Sequence, residues 1–167
     1  MAAQGNLKYH SALFLSEKPK NGILRIHGGT LFDYVFVING KLNGKQRTDF
    51  IIHQYLQGFL KFIEEHERGY DDKLLIRGTS YIMNKKTATK LGFKIVETDF
   101  IHKLLLLYNV VNIFLSYSIA KGKLSFPNLR QTITFEATLG ELIKQKPYIQ
   151  ELISRFQSQH KKSPNSR

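Results

Sequence analysis

The sequence predicts an α/β domain with a mixed sheet, and three observations carry that prediction. A long amphipathic segment follows residue 48, short runs of strand-forming residues flank it on both sides, and turn residues separate the runs. ILRI (23–26) is β-branched, and LFDYVFVI (31–38) is dense in strand formers, so two antiparallel strands are expected at about 22–28 and 31–39. The glycines of His27-Gly28-Gly29 read as a turn that needs positive φ. NGKLNG (39–44) supplies a loop. Thr48 and Asp49 are N-cap candidates for the long helix, in which Ile51, Ile52, Tyr55, Leu56, Phe59, Leu60, Phe62 and Ile63 form one broad apolar face. Gly69 is expected to end it. KLLIRGTSYI (73–82) reads as a strand, 84–91 as a two-turn helix stopped by Gly92, and FKIVET (93–98) as another strand. The predicted order over residues 22 to 98 is β-β-α-β-α-β.

The flanks are less regular. Residues 7–16 suit a short helix or a strand. From Leu104 to Ala120 the chain runs 17 residues without a charge, with Lys103 before it and Lys121 and Lys123 after. A spanning helix needs about 20 apolar residues. The segment therefore suits a helix packed on protein, or one lying in a membrane interface, with Asn109, Asn112 and Ser116 on one stripe. ITFEAT (133–138) suits a short strand or an extended link, and a last helical region is interrupted near Pro147. With no linker in view, residues 1–157 are expected to form one domain with a helical extension from about 99. Residues 158–167 are expected to be a disordered basic tail.

Composition bounds the function. The chain has 167 residues, no cysteine, and 25 Lys+Arg against 13 Asp+Glu, a formal charge of +12. Lack of cysteine removes disulfides and thiol nucleophiles and fits a reducing, cytoplasmic setting. The start, MAAQGNLKYH, has no signal-peptide pattern. The charge favours anionic partners: a phosphate-bearing cofactor, acidic membrane, or nucleic acid. His10, His27, His53, His66, His102 and His160 form no helical metal pair, so no metal is expected.

The succession of strand, loop, long helix, KLLIRGTSY strand, Asn84, short helix, Lys90-Leu91-Gly92-Phe93 and strand resembles the later half of the GNAT acyltransferases, over residues 31 to 98. The resemblance implies an acyl-CoA-dependent N-acyltransferase. It implies Gly44, Lys45, Gln46, Arg47 and Thr48 as the cofactor's diphosphate loop, with Asn84 near the pantetheine arm. That family's frequent acid tyrosine is replaced by Ala88, which leaves Tyr81 as the nearby phenol. Two other readings stand beside it: a non-enzymatic basic domain that associates with acidic membrane through residues 100–123, and a nucleic-acid binder.

Overall fold

A computed structural model describes residues 7–80, 83–98, 104, 107–128 and 132–161, with side chains as far as Ser158. The described chain is α/β, built on a mixed sheet. The strands are β1 (Leu7–Ser11), β2 (Phe14–Glu17), β3 (Ile23–Gly28), β4 (Leu75–Ser80), β5 (Lys94–Val96) and β6 (Ile133–Thr138). The helices are α1 (Leu31–Val37), α2 (Gly44–His66), α3 (Lys85–Lys90), α4 (Val110–Lys121), α5 (Leu139–Lys144) and α6 (Lys146–Lys161). Spatial order in the sheet is β1-β2-β3-β4-β6-β5. The two middle strands, β3 and β4, run parallel, and every other neighbouring pair is antiparallel.

Residues 7–16, open between helix and strand, form β1 and most of β2, which pair antiparallel. The expected second strand at 31–39 is instead helix α1. Thr30 caps it through a capping box with Asp33, and Tyr34 buries its ring beneath it. Two satisfied N-terminal donors and a buried aromatic outweigh the strand preference of Val35 and Val37. The order over 22–98 is therefore β-α-α-β-α-β. Helix α2 also starts earlier than expected. Asn43, not Thr48 or Asp49, is its cap, reciprocated by Gln46, so residues 44–48 are helical rather than loop. At the far end it stops at His66, short of Gly69.

Residues past 99 do not form a purely helical extension. After α4 the chain returns to the sheet as β6, which inserts between β4 and β5 and bonds to both. Ile133, Phe135 and Ala137 alternate onto the core face of this strand and are buried there, while Thr134 is buried on the other face. The last helix continues to Lys161, past the expected start of the tail at 158; residues 162–167 lie outside the described residues.

One sheet face holds the main core. Leu24, Ile26, Ile76, Phe93 and Phe135 meet Phe59, Phe62 and Ile63 of α2, with Ile149 and Ile153 of α6. A smaller core of Leu13, Tyr34, Ile38, Ile51 and Ala120 joins α1, α2 and α4. The opposite sheet face is more polar. Arg77 and Glu136 are cross-strand partners bonded at 2.7 Å, and the Thr134 hydroxyl bonds those of Thr79 and Thr98.

The corner after α3 is as the sequence suggests. Gly92 has φ +91°, its N–H donates to Thr89 O, and the Phe93 N–H donates to Ala88 O, the paired bonds of a Schellman stop. A Cβ at Gly92 would also press on Gln145 Cγ at 2.7 Å. Gly92→Ala is expected to cost at least the ~1–2 kcal/mol of a left-handed L-residue, measured as a lower urea midpoint at unchanged m-value.

Candidate functional site

The middle of the sheet opens at one end. Pairing between β3 and β4 stops at Ile26↔Gly78, although β3 continues to Gly28 and β4 to Ser80. A cavity of about 450 Å³ lies there. Its walls come from the two strand ends that no longer pair with each other (His27 and Gly28, still paired to β2; Thr79 and Ser80, still paired to β6), from α2 (Tyr55, Phe59), and from Met83, Asn84 and Thr87 at the start of α3. Phe14, Ile26, Leu56, Leu91, Phe93 and Phe135 make the interior largely apolar. The carboxyl ends of adjacent parallel strands are where open α/β sheets generally take ligands, because the chain leaves them in diverging directions.

Backbone groups contribute as well. The Gly29 N–H donates to Leu13 O at 2.9 Å on the β2 side. Alternation along the strand then turns the Gly28 N–H to the other side, toward β4 and the opening. Gly28 is needed for space rather than for positive φ: neither Gly28 nor Gly29 has the left-handed backbone expected of a turn. A Cβ on Gly28 would collide with the Tyr55 hydroxyl. That hydroxyl bonds the Tyr34 hydroxyl at 3.0 Å. Burial, then the neighbouring Tyr55, holds the Tyr34 phenol well above its ordinary range, so it stays protonated. On the other side of the strand, His27 Nε2 lies 2.8 Å from Glu17 Oε1, a carboxylate that orients the ring.

The residues implied by the resemblance are divided. Asn84 lines the cavity and caps α3, its side chain accepting from the Thr87 N–H. Ala88 is fully buried. Tyr81 lies outside the described residues. Gly44, Lys45, Gln46, Arg47 and Thr48 are not in the cavity wall. Gly44 packs on the Lys121 carbonyl, leaving no space for a Cβ, and Thr48 bonds back to Gly44 O. Arg47 spreads its guanidinium over three carbonyls: Leu42 at 2.8 Å, Ile119 at 2.9 Å and Gly40 at 2.6 Å. It fastens the loop before α2 to the end of α4. Lys45 is exposed.

Sequence reasoning missed His27 and Gly28 as site residues, and with them Tyr34 and Tyr55. The His-Gly-Gly signal was visible after a short strand; its partners on α1 and α2 are set only by the tertiary fold.

A second constellation has the distances of a nucleophile chain. His10 Nε2 is 2.8 Å from Ser16 Oγ and His10 Nδ1 is 2.6 Å from Glu65 Oε2. Ser16 is only 2% exposed and faces the core outside the cavity wall, so a substrate carbonyl has no access to it. The chain ties β1 and β2 to α2. Its pH dependence has a definite sign. Burial lowers the His10 pKa, opposed in part by Glu65, with Lys8 and His66 reinforcing the decrease. The unfolded chain therefore takes up this proton first as pH falls through about 6.5, and the folded state loses stability below that point. Thermal unfolding at stepped pH between 7.5 and 5 is expected to show this decline, and His10→Gln is expected to flatten it.

No protein-family model, curated protein or solved structure matches the chain. Among the described residues no helix is long and apolar enough to cross a membrane.

Proposed function

We propose that this domain binds an acyl-thioester of coenzyme A and transfers the acyl group to an amine, on a framework resembling that of the GNAT acyltransferases. The observation that carries the reading is the opening between β3 and β4. In that family the strands before and after the long helix splay to admit the pantetheine arm. Here the expected strand at 31–39 is helix, and the strands that flank the α1–α2 pair, β3 and β4, stop bonding to each other after Ile26↔Gly78, where the cavity begins. Each strand end keeps its outer neighbour and loses only the inner one, and the edge that faces the opening suits an arm that carries amides, since each buried N–H and C=O needs a partner. Apolar walls suit the thioester and its acyl chain.

The chemistry follows from the side chains around the opening. The amine nitrogen attacks the thioester carbon, and the Gly28 N–H is aimed to stabilise the oxyanion. His27, oriented by Glu17, takes the proton the amine loses. The C–S bond then breaks, and Tyr55, backed by protonated Tyr34, gives its proton to the leaving thiolate. Base and acid lie on opposite sides of β3, so acceptor and cofactor approach from different faces. Asn84 keeps its role beside the pantetheine arm. The anionic end of the cofactor is assigned to the exposed Lys85 and Lys86, beside Asn84. This replaces the diphosphate role implied for Arg47, whose guanidinium is engaged as a latch.

The lining points to the acyl class. A largely apolar wall favours a medium-length acyl chain over acetyl, which offers only one methyl group for burial. Thiol release from acetyl-CoA and octanoyl-CoA with a panel of amines tests the reading. Octanoyl-CoA is expected to be preferred, and Tyr55→Phe to lower kcat by about a hundredfold. No release with any acyl length, together with no binding at millimolar cofactor, ends it.

A further inference from the structure

We infer that the α1–α4 side of the molecule docks on an anionic lipid surface. The inference is independent of the acyl-thioester reading. Helix α4 is apolar nearly all round, a pattern that belongs to a helix covered on every side. Among the described residues the cover is partial: Ile113, Ser116 and Ala120 are buried, α1 and α2 pack on α4, and Ser118 is buried where it bonds Ser125. On the open side Tyr108 is 86% and Val111 62% exposed. The chain after α4 adds to this surface, since Phe126 stacks on Phe114 of α4 at 4.3 Å and is itself 83% exposed, with Leu124 equally so. Helix α1, packed beside α4, exposes Phe32 at 71% and Phe36 at 82%. Apolar side chains so fully exposed on two adjoining helices and a flanking loop mark an interaction surface.

Charge decides the occupant. Apart from Asp33, which caps α1 through Thr30 and accepts from the Tyr9 hydroxyl, the stretches that build this side contain no acidic residue: none between Asp33 and Asp49, and none between Asp99 and Glu136. Exposed Lys41, Lys45, Lys121 and Lys123 gather at one end of it, because Gly44 packs on the Lys121 carbonyl and Arg47 bonds Ile119 O. Aromatic and aliphatic tips flanked at one end by lysines match an interface of acyl chains beneath anionic headgroups. A second copy of the chain would instead bring two lysine clusters together, at a formal charge of +12 per chain. No helix in the described residues crosses the bilayer, so the contact is peripheral.

Cosedimentation of the full chain with vesicles of phosphatidylcholine alone, and with added phosphatidylglycerol, tests the inference. The chain is expected to bind the phosphatidylglycerol vesicles at low salt and to release as salt rises. Lys121→Gln with Lys123→Gln is expected to weaken partitioning roughly thirtyfold, at about one kilocalorie per lysine. Phe36→Ser with Phe126→Ser is expected to weaken it roughly a hundredfold. Lys121 and Lys123 are exposed, so the glutamine pair is expected to keep the parent's thermal midpoint; the serine pair loses the stack of Phe126 on Phe114 and is expected to melt about 2–4 °C lower. Three results overturn the inference: no binding to phosphatidylglycerol vesicles, binding indifferent to the serine substitutions, or a dimer in solution that those substitutions dissociate.

Discussion

Gly28→Ala is expected to destabilise the domain by about 1–3 kcal/mol, the usual cost of forcing a methyl into filled space, although the backbone at Gly28 is one that alanine adopts. The added Cβ falls on the Tyr55 hydroxyl, so the ring must move and the 3.0 Å bond to Tyr34 is lost. Tyr34 is 1% exposed, and its unpaired hydroxyl then adds its own penalty. The cause can be isolated. In Tyr55→Phe the colliding atom is gone, so Gly28→Ala placed on that background costs less than it does alone. A coupling of about 1 kcal/mol or more is expected from the double-mutant cycle. Strict additivity in urea unfolding would mean that the tyrosine hydroxyl does not sit against Gly28.

Arg47→Ala is expected to cost about 2–4 kcal/mol, because charge-assisted bonds to three carbonyls are lost together. One of those carbonyls, Ile119, belongs to α4. The loss therefore appears locally as faster amide exchange in residues 110–121, ahead of the rest of the fold. Arg47→Lys is not expected to rescue it, since an ammonium cannot reach carbonyls in three directions as a planar fork does. The prediction separates two roles for one residue. A latch changes stability and leaves acyl-CoA affinity intact in the folded fraction. A phosphate ligand changes affinity and leaves stability nearly intact.

How far the sequence was legible depends on the range of the forces involved. Helix α2, helix α3, the Gly92 corner and strands β3, β4 and β5 are specified by local periodicity and punctuation, and they are readable in the chain. Helix α1 is misread because Leu31–Ile38 favours strand by composition. Thr30 and Asp33, two residues outside the apolar count, decide it. The place of β6 cannot be read: Ile133–Thr138 alternates apolar and polar residues as a strand does, but nothing local names its neighbours, and only pairing with Leu75–Ser80 and Lys94–Val96 makes it interior. The site follows the same rule. Asn84 carries a local signal, a cap before a short helix. The meeting of Gly28, Tyr34 and Tyr55 depends on a crossover between elements that no spacing in the sequence reports. Arg47 shows the converse. A basic residue near a helix start reads as a phosphate ligand until the carbonyls of Gly40, Leu42 and Ile119 are seen around it.

The central claim is that the opening between β3 and β4 takes the thioester end of an acyl-CoA. Titration of the ¹⁵N-labelled protein with octanoyl-CoA, followed by amide chemical shifts, tests it most directly. The account predicts saturable shifts at Gly28, Thr79, Ser80 and Asn84, with Gly28→Ala abolishing them. It also predicts that the amides around His10 and Ser16 stay still. Shifts absent from the strand ends at saturating ligand, or centred on residues 44–48 alone, would contradict it.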